Sequence, residues 1–238
     1  MRGELSHGLP SLATAGNRIL RSDTMQTVRL RGVNRSGLEY TEPAEDGFLA
    51  AWRALAARYR DEPAVLFDLF NEPHDPVEDD FLPIHVIGED GNVTTSDGDF
   101  VGPGEWVPWA ARLVAEVRRL HPGSLILVGG VDWAFDLRDV RVAAPNIVYS
   151  THVYPNRGRD TWWKAFGNAA TVPVFAGEWG GEATDLAFGR DLSQLLREQA
   201  CGWNAWGWVD DPRLVQVPRA PEYRPTEFGA LVMDELRA

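Results

Sequence analysis

Cysteine is almost absent from this chain, because Cys201 is the single one among 238 residues. One cysteine excludes an intrachain disulfide and any cysteine-based metal cluster. Cys201 lies in an apolar segment with the character of a strand, so we expect its thiol to be buried and chemically inert.

Positive charge is also scarce relative to negative charge. The chain has 23 Lys and Arg residues against 35 Asp and Glu residues, which gives a net charge of -12 at pH 7. This balance argues against nucleic acid or an anionic membrane as a partner. A neutral or cationic ligand is easier to reconcile with it.

Long apolar runs are missing as well. No stretch approaches the length that a membrane-spanning helix needs, so we expect no membrane partner. Residues 1–20 contain no apolar core flanked by positive charge, which is the pattern of a signal peptide. As written, the sequence predicts a cytoplasmic protein, and a trimmed leader would make it a secreted one.

Length and tryptophan are what the chain has in quantity. Its 238 residues suffice for one large domain with a sizeable core, so we expect residues 1–238 to form a single domain. We expect most of the 10 tryptophans in the core, although tryptophan also makes flat platforms for sugar rings.

The stretch PAVLFDLFNEPH, from Pro63 to His74, organises the rest of the chain. Its apolar run predicts a short buried parallel strand, and Pro73 ends the strand because proline cannot donate to a ladder. Asn71 and Glu72 therefore lie at the carboxyl end of a strand, which is where α/β folds hold their catalytic side chains.

Strand-like and helix-like segments alternate along the chain, which indicates a parallel sheet with helices outside it. An N-terminal β-hairpin is predicted from NRIL and TVRL, with its turn at residues 22–26, and WAFDLRDV is predicted to be a short helical turn. Polar residues cluster at strand ends, as at the mouth of a TIM barrel: Asn34, Glu72, His152, Tyr154, Glu178 and Trp206.

Glu72 and Glu178 end two different strands and suggest a carboxylate pair. Hydrolysis of a glycoside needs one carboxyl group to protonate the leaving oxygen and a second to attack or to activate water. In the retaining version the two groups lie about 5 Å apart, and strands that converge at a barrel mouth can bring them to that separation. Each glutamate alone could equally be a solvated loop charge.

Five segments in this order resemble glycoside hydrolase family 5, the cellulase-type retaining glycosidases of clan A. They are RGVNRSGLEY, LFDLFNEPH, STHVYP, VFAGEWGG and GWNAWGW, and the resemblance covers the chain from about residue 17 onward. It implies a (β/α)8 barrel and hydrolysis of O-glycosidic bonds in β-linked glucan or related β-glycosides by a two-glutamate double displacement. It implies a carbohydrate substrate and neither cofactor nor metal.

The resemblance also implies roles for individual residues. Glu72 matches the general acid/base and Glu178 the nucleophile. Asn71 matches a residue that binds the sugar 2-hydroxyl, and His152 and Tyr154 match the histidine and tyrosine of the sixth strand. Trp206 matches the floor of the subsite for the cleaved sugar, whereas Trp203 and Trp208 could belong to the core because neighbours in a strand alternate faces.

The chain departs from the family in its strand count. Barrel strands begin near Val28, Val65, Leu125, Ile147, Val174 and Gly202, so the second and third strand-helix units have no counterpart. Six strands close too narrow a barrel for bulky interior residues. We therefore expect an incomplete TIM barrel, open between the first two of these strands.

Two consequences of the missing units can be stated in advance. An arginine that the family carries near its catalytic pair is lost with them, and Arg35, beside Asn34 in the first strand, is the nearest candidate to replace it among the substrate-binding residues. Open parallel edges are normally covered, here either by the chain's own loops, chiefly residues 38–47 and the acidic segment, or by a second copy. Of these two covers we expect a homodimer that packs near the gap.

Alternatives remain open at this stage. A deletion of this size could leave a catalytically impaired carbohydrate-binding pseudoenzyme instead of an enzyme. The acidic segment between His74 and Gly104 could hold a metal, but its spacing matches no calcium loop. A segment of this length inside a domain is usually functional, and we predict that it folds over the mouth as a flap.

Overall fold

The structure is a computed structural model that describes residues 10–35, 47–63, 65–73, 85–87, 93–95, 102–209, 213–216 and 223–238. Most of the segment predicted to be a flap, and most of its acidic residues, lie outside these ranges. Within it, β5 (His85–Ile87) and β6 (Val93–Thr95) form a two-stranded antiparallel pair. None of the described helices is both long and apolar enough to span a bilayer.

A curled sheet of six parallel strands carries the fold. In chain order its strands are β3 (Arg31–Arg35), β4 (Phe67–Asp68), β7 (Ile126–Gly129), β8 (Ile147–Val153), β9 (Val174–Trp179) and β10 (Gly202–Trp208). Their spatial order is β3-β10-β9-β8-β7-β4. Among the described residues the two edge strands are therefore β3 and β4, and the half-barrel is open between these first two predicted strands, as expected.

Helices cover the outer face of this sheet. They are α1 (Gly47–Arg58), α2 (Pro103–Leu120), α3 (Trp163–Phe166), α4 (Leu186–Glu198) and α5 (Glu227–Arg237). Every second residue of a strand faces them, and these residues make the main core with the buried helix faces. One close packing pair is Trp179 with Trp203, whose rings meet edge to face at 5.4 Å. Such a pair contributes about 0.5–1.5 kcal/mol beyond its buried area.

The alternate strand residues point into the half-barrel and form a second, smaller cluster. Leu125, Leu127, Val148 and Phe175 are its buried sheet members, and Leu66 of the segment before β4 packs against them. These side chains fill the amino-terminal half of the interior with apolar groups. Polar side chains can therefore reach the interior only at the carboxyl ends of the strands.

An N-terminal hairpin covers the amino-terminal end of the half-barrel. It consists of β1 (Leu12–Ala15) and β2 (Arg18–Arg21), and Ile19 joins the interior cluster. The amide of Thr14 donates to Oδ1 of Asn146, just before β8, at 2.9 Å. The hairpin thus takes the place of solvent beneath the interior cluster.

The hairpin exists as predicted, but its pairing differs. NRIL pairs with LATA and not with TVRL, which meets it through a single bridge between Leu20 and Thr27. Gly16 adopts a left-handed backbone (φ 58°), so that Gly16 and Asn17 make a two-residue turn of the kind that hairpins prefer. The longer segment at residues 22–26 connects the hairpin to β3 instead.

Candidate active site

A cleft of about 1050 Å³ opens at the carboxyl ends of the parallel strands. Its walls come from the ends of β4, β8, β9 and β10 and from the loops that follow β7 and β8. Six of the predicted site residues line it together: Asn71, Glu72, His152, Tyr154, Glu178 and Trp206. The side chains of Asn34 and Arg35 lie outside the described part of the structure, although their backbone ends β3.

Strand parity selects which side chains of β8 reach the cleft. Ile147, Tyr149 and Val153 belong to the outer core, while Val148 belongs to the interior cluster. His152 and Tyr154 continue the inward series at even positions and line the cleft. Alternation alone therefore brings the histidine and the tyrosine to the same wall.

β9 would not present Glu178 to the cleft if it kept a regular register. Phe175 points inward and Ala176 outward, so regular alternation would turn Glu178 outward. The register shifts between Thr151, which faces Ala176, and His152, which faces Glu178, so Gly177 is the extra residue of a bulge. The bulge turns Glu178 into the cleft beside His152, as bulges next to active sites do.

Only glycine fits at the bulge. A Cβ on Gly177 would lie 2.1 Å from Oγ of Ser150 and 3.2 Å from Nε2 of His152. The first distance is a severe clash, and the second is tighter than an ordinary van der Waals contact. The glycine therefore lets β8 and β9 approach closely enough to hold Glu178 level with His152.

Glu72 reaches the same place by a different backbone device. β4 ends at Asp68, and Glu72 adopts a left-handed conformation with φ 45°. That conformation costs a non-glycine residue about 1–2 kcal/mol, so the surrounding structure must hold it. Such outliers concentrate where a side chain has to be aimed at a site.

His152 lies between the two glutamates. Its Nδ1 is 2.9 Å from Oε1 of Glu72 and 3.6 Å from Oε2 of Glu178. The ring is buried, since 5% of the side-chain surface is exposed. Burial by itself lowers the pKa of His152, but the hydrogen bond to Glu72 and the charges of Glu178, Glu72 and Asp68 outweigh it and raise that pKa. The histidine therefore stays positively charged to a higher pH than an ordinary imidazole.

Tyr154 is the second partner of Glu178. Its hydroxyl donates to Oε2 of Glu178 at 2.8 Å. Burial and the neighbouring charge of Glu178 raise the pKa of Tyr154, so the phenol keeps its proton and acts only as a donor. A hydrogen bond of this kind favours the ionised form of the carboxyl group that accepts it.

One possible metal-ligating atom from each of Glu72, His152 and Glu178 lies within 4.8 Å of the other two. One nitrogen and two carboxylate oxygens at that spacing are also a donor set that divalent cations accept. In this structure the nitrogen is engaged with Glu72 and one oxygen with Tyr154.

Asp68 is a cleft residue that the sequence analysis missed. Phe67 and Leu69 belong to the outer core, so parity turns Asp68 inward, where it lines the cleft. Solvent reaches this side chain through the cleft. The surrounding protein nevertheless removes part of the hydration of the carboxyl group, and this loss raises its pKa to about 6. The charge of Glu178 raises that pKa further. An acidic residue inside an apolar strand was the signal that could have identified it.

The segment WAFDLRDV is not a helical turn, which corrects the prediction. Asp132, Trp133 and Ala134 adopt φ values of 56°, 61° and 57°, so three consecutive residues are left-handed. Two antiparallel bridges, Gly130 to Ala134 and Val131 to Asp136, close this turn. We refer to residues 132–134 as the left-handed turn. Each of its residues carries a strain of about 1–3 kcal/mol that the surroundings must hold.

The left-handed turn brings further groups to the cleft that sequence reasoning missed. Trp133 and Asp132 line the wall, together with Arg157 from the loop after β8, and 38% of the Trp133 surface is exposed. On the opposite side, Asn204 of β10 and Arg213 line the cleft. Asn204 belongs to the GWNAWGW segment and has the same strand parity as Trp206, so strand alternation could have identified it. Arg213 lies outside the quoted segments, so only the tertiary structure brings it to the cleft.

Trp203 and Trp206 of β10 lie on opposite faces as strand alternation requires, whereas Trp208 follows a register shift and belongs to neither the cleft nor the core. Trp206 lines the cleft, and Trp203 is 1% exposed and packs in the outer core. Trp208 stacks edge to face on Tyr223 at 4.9 Å. Cys201, just before the strand, is a buried free thiol whose pKa burial raises to about 11.

Similarity to known proteins agrees with this geometry. Endoglucanase E-5 of Thermobifida fusca is 29% identical over 122 residues, which are 44% of this chain and 26% of that protein. An endoglucanase of Paenibacillus polymyxa is 28% identical over 190 residues, 64% of this chain and 43% of that protein. The chain thus spans between about a quarter and two fifths of the length of these curated relatives.

Solved structures share the fold at low sequence identity. A beta-glucanase from Saccharophagus degradans superimposes with a TM-score of 0.74 and 17% identity over 97% of this chain and 94% of its own. The catalytic domain of endoglucanase Cel5A from Thermobifida fusca gives 0.73 and 16% over 95% of this chain and 97% of its own. These likenesses establish the barrel fold. The cellulase family, glycosyl hydrolase family 5, matches residues 26–212, which is well over half of the sequence, and the chain belongs to that family.

Proposed function

We propose that this chain is a retaining β-glycosidase that cleaves β-linked glucan by a double displacement on Glu178. The observation that carries the proposal is the closeness of two carboxyl groups in one cleft. A carboxylate oxygen of Glu72 and one of Glu178 lie within 4.8 Å of each other. Retaining glycosidases hold this pair about 5–5.5 Å apart, whereas inverting enzymes leave about 6.5–9.5 Å for a water molecule.

The environments of the two glutamates support different roles. Glu178 accepts the hydrogen bond of Tyr154 at 2.8 Å and faces the charge of His152, and both favour its carboxylate. An ionised carboxylate is what a nucleophile requires. Glu178 therefore attacks the anomeric carbon and forms the glycosyl-enzyme ester.

Glu72 is the acid and then the base. Its Oε1 lies 2.9 Å from Nδ1 of His152, so one proton is held between the carboxyl group and the ring. In the first step Glu72 gives its proton to the glycosidic oxygen. When the ester has neutralised Glu178, Glu72 no longer faces that charge, and it can take a proton from the water that hydrolyses the ester.

Aromatic and amide groups of the cleft would hold the sugars. Trp206 offers a flat surface on the Glu178 side, and Trp133 offers one on the Glu72 side, since its amide donates to the carbonyl of Pro73 at 3.1 Å. Asn71 and Asn204 line the cleft between them. Relatives named endoglucanase and a beta-glucanase solved with cellotetraose make cello-oligosaccharides the first substrates to test.

The stereochemistry of the product tests the mechanism. Proton NMR of the first sugar released from a β-glycoside should show the β anomer. Glu178→Gly should be inactive and regain turnover with azide, which fits the vacated site and gives the α-glycosyl azide. Initial release of the α anomer from the unmodified protein would refute the double displacement.

The alternative function is that of a carbohydrate-binding pseudoenzyme, favoured by the two strand-helix units that the chain lacks. It would bind cellotetraose in calorimetry but release no p-nitrophenol from any aryl β-glycoside, with Glu178→Gln as the matched inactive reference. Release that exceeds this reference would exclude it.

A further inference from the structure

An ion pair between Arg157 and Asp132, both in the wall of the cleft, holds the left-handed turn. Arg157 meets Asp132 as a fork, with Nη1 donating to Oδ2 at 2.9 Å and Nη2 donating to Oδ1 at 2.9 Å. Nη2 also donates to the carbonyl oxygen of Asp132 at 3.0 Å. One guanidinium therefore fixes both the side chain and the backbone of the first residue of the turn.

Arg157 is itself held in position. Its guanidinium lies over the ring of Phe135 with 4.7 Å to the ring centre, and Phe135 is 1% exposed. Its amide donates to the carbonyl of Tyr154 at 2.9 Å, and its carbonyl accepts from Nε1 of Trp162 at 2.9 Å. The loop after β8 thus presents this arginine on a rigid base.

The turn touches both the segment after Glu72 and the strand that carries His152. The amide of Trp133 donates to the carbonyl of Pro73, the residue after Glu72, at 3.1 Å. The amide of His152 donates to the carbonyl of Ala134 at 3.3 Å. A shift of the turn would therefore move the exposed ring of Trp133 relative to Glu72.

We propose that Arg157 is a positioning residue for sugar binding on the leaving-group side, which holds the left-handed turn so that Trp133 is presented as a preformed platform. The inference rests on the proposed function, because it assigns one side of the same cleft. Three consecutive non-glycine residues in the left-handed conformation are strained, and the backbone relaxes unless neighbouring groups hold it. The fork of Arg157 supplies that restraint, so the platform exists before the substrate binds.

Two substrates distinguish a role on the leaving-group side from a general effect on catalysis. Cellotetraose places glucose units on the leaving-group side when it is cut, whereas in β-cellobiosyl fluoride the leaving group is one atom that cannot reach Trp133. Arg157→Ala should lower kcat/KM for cellotetraose about tenfold, chiefly through KM, and leave kcat/KM for the fluoride within about twofold. Trp133→Ala should behave in the same way.

Three further variants make the comparison sharp. Arg159→Ala removes the exposed ion pair with Asp191 from the same loop and should change neither substrate. Arg157→Lys keeps the charge but not the fork, so it should restore only part of the loss. The double variant Trp133→Ala/Arg157→Ala should be no worse than Trp133→Ala alone, because the arginine acts through the tryptophan.

Hydrogen exchange gives a readout that does not depend on turnover. Arg157→Ala should speed exchange at the amides of Trp133, Asp136 and His152, which bond within or to the turn, while amides in α4 should stay unchanged. Equal losses on both substrates, no loss on cellotetraose, or unchanged exchange would each overturn the proposal. If the unmodified chain hydrolyses neither substrate, the proposed function fails, and a tenfold weaker calorimetric affinity of Arg157→Ala for cellotetraose still decides the role of the arginine.

Discussion

At the scale of single residues, His152 links the two glutamates. Its buried ring contacts Glu72 and faces Glu178 across 3.6 Å, so one positive charge is shared between two negative groups. Among the described residues, Glu178 also accepts a hydrogen bond from the hydroxyl of Tyr154. The two glutamates therefore differ in their partners, since Glu72 meets the imidazole at hydrogen-bond distance and Glu178 accepts from Tyr154.

The first residue-scale prediction uses leaving groups to separate the glutamates. 2,4-Dinitrophenolate departs without a proton, so Glu72→Gln should form the glycosyl-enzyme normally from a dinitrophenyl β-cellobioside. On cello-oligosaccharides the same variant should lose about 10²–10⁴-fold in kcat/KM, the usual contribution of general acid catalysis. Glu178→Gln should lose both activities. Equal losses of Glu72→Gln on both substrates would contradict its role as the acid.

A second prediction concerns Asp68. Its carboxyl has a pKa of about 6 in the folded chain against an ordinary value of 3.8, so the folded state binds more protons than the unfolded state between about pH 4 and pH 6. The stability that the protonated form contributes is present below this window and is lost as the pH rises through it. Asp68→Asn should therefore raise the melting temperature at pH 7 more than at pH 4.

Circular dichroism melts of both proteins at the two pH values test this prediction. The effect should be modest, because solvent reaches the Asp68 side chain through the cleft and screens its charge. Asp61, which is 85% exposed on its side chain, is the matched control, and Asp61→Asn should give the same small change at both pH values. A larger gain in melting temperature for Asp68→Asn at pH 4 than at pH 7 would contradict the predicted direction of the pH dependence.

At the scale of elements, the bulge in β9 determines the site. Without it, Glu178 would point to the outer core and Trp179 would point to the cleft. With it, Trp179 becomes 0% exposed among the helices, and Glu178 stands beside His152. One additional residue in one strand thus exchanges an apolar and a charged side chain between two environments.

The element-scale prediction is a clash that a second mutation relieves. Gly177→Ala would place Cβ 2.1 Å from Oγ of Ser150, so β9 must move away from β8 and carry Glu178 with it. A displacement of about 1 Å at a reacting group can lower turnover about 10²-fold. Ser150→Ala removes the closest clash and should restore part of kcat.

Two controls accompany this measurement of kcat. Ser150→Ala alone should be nearly neutral, because Oγ of Ser150 is buried without a hydrogen-bond partner in the described structure. Gly123→Ala should also be neutral, since nothing lies within 4 Å of the added Cβ. If Gly177→Ala keeps full turnover, the bulge does not set the position of the nucleophile.

At the scale of the whole molecule, the sheet is open. Within the described residues, β3 and β4 each pair with a neighbour on one side only, and unpaired strand edges attract other strands. We predict a homodimer that packs near the gap between these two strands. Sedimentation equilibrium should give twice the chain mass of 26.5 kDa at micromolar concentration, and a single monomer mass at every concentration would refute it.

The sequence by itself determined the parallel strands and six of the residues that line the cleft. Apolar runs with fixed ends predicted the six described parallel strands within a few residues, because strand formation depends on local pattern. Six cleft residues were predicted from strand ends alone, because parallel strands deliver their carboxyl ends to one edge. The position of the gap followed from the count of strands.

Tertiary structure decided which way side chains point and which distant residues meet. Glu178 faces the cleft because β8 fixes the register of β9, and Asp132 is fastened by Arg157 from another loop. In the hairpin, NRIL pairs with LATA and not with TVRL. The left-handed turn stands where a helical turn was predicted. None of these is a local property, since register, left-handed backbone and ion pairs between loops are stable only through contacts with residues far away in the sequence.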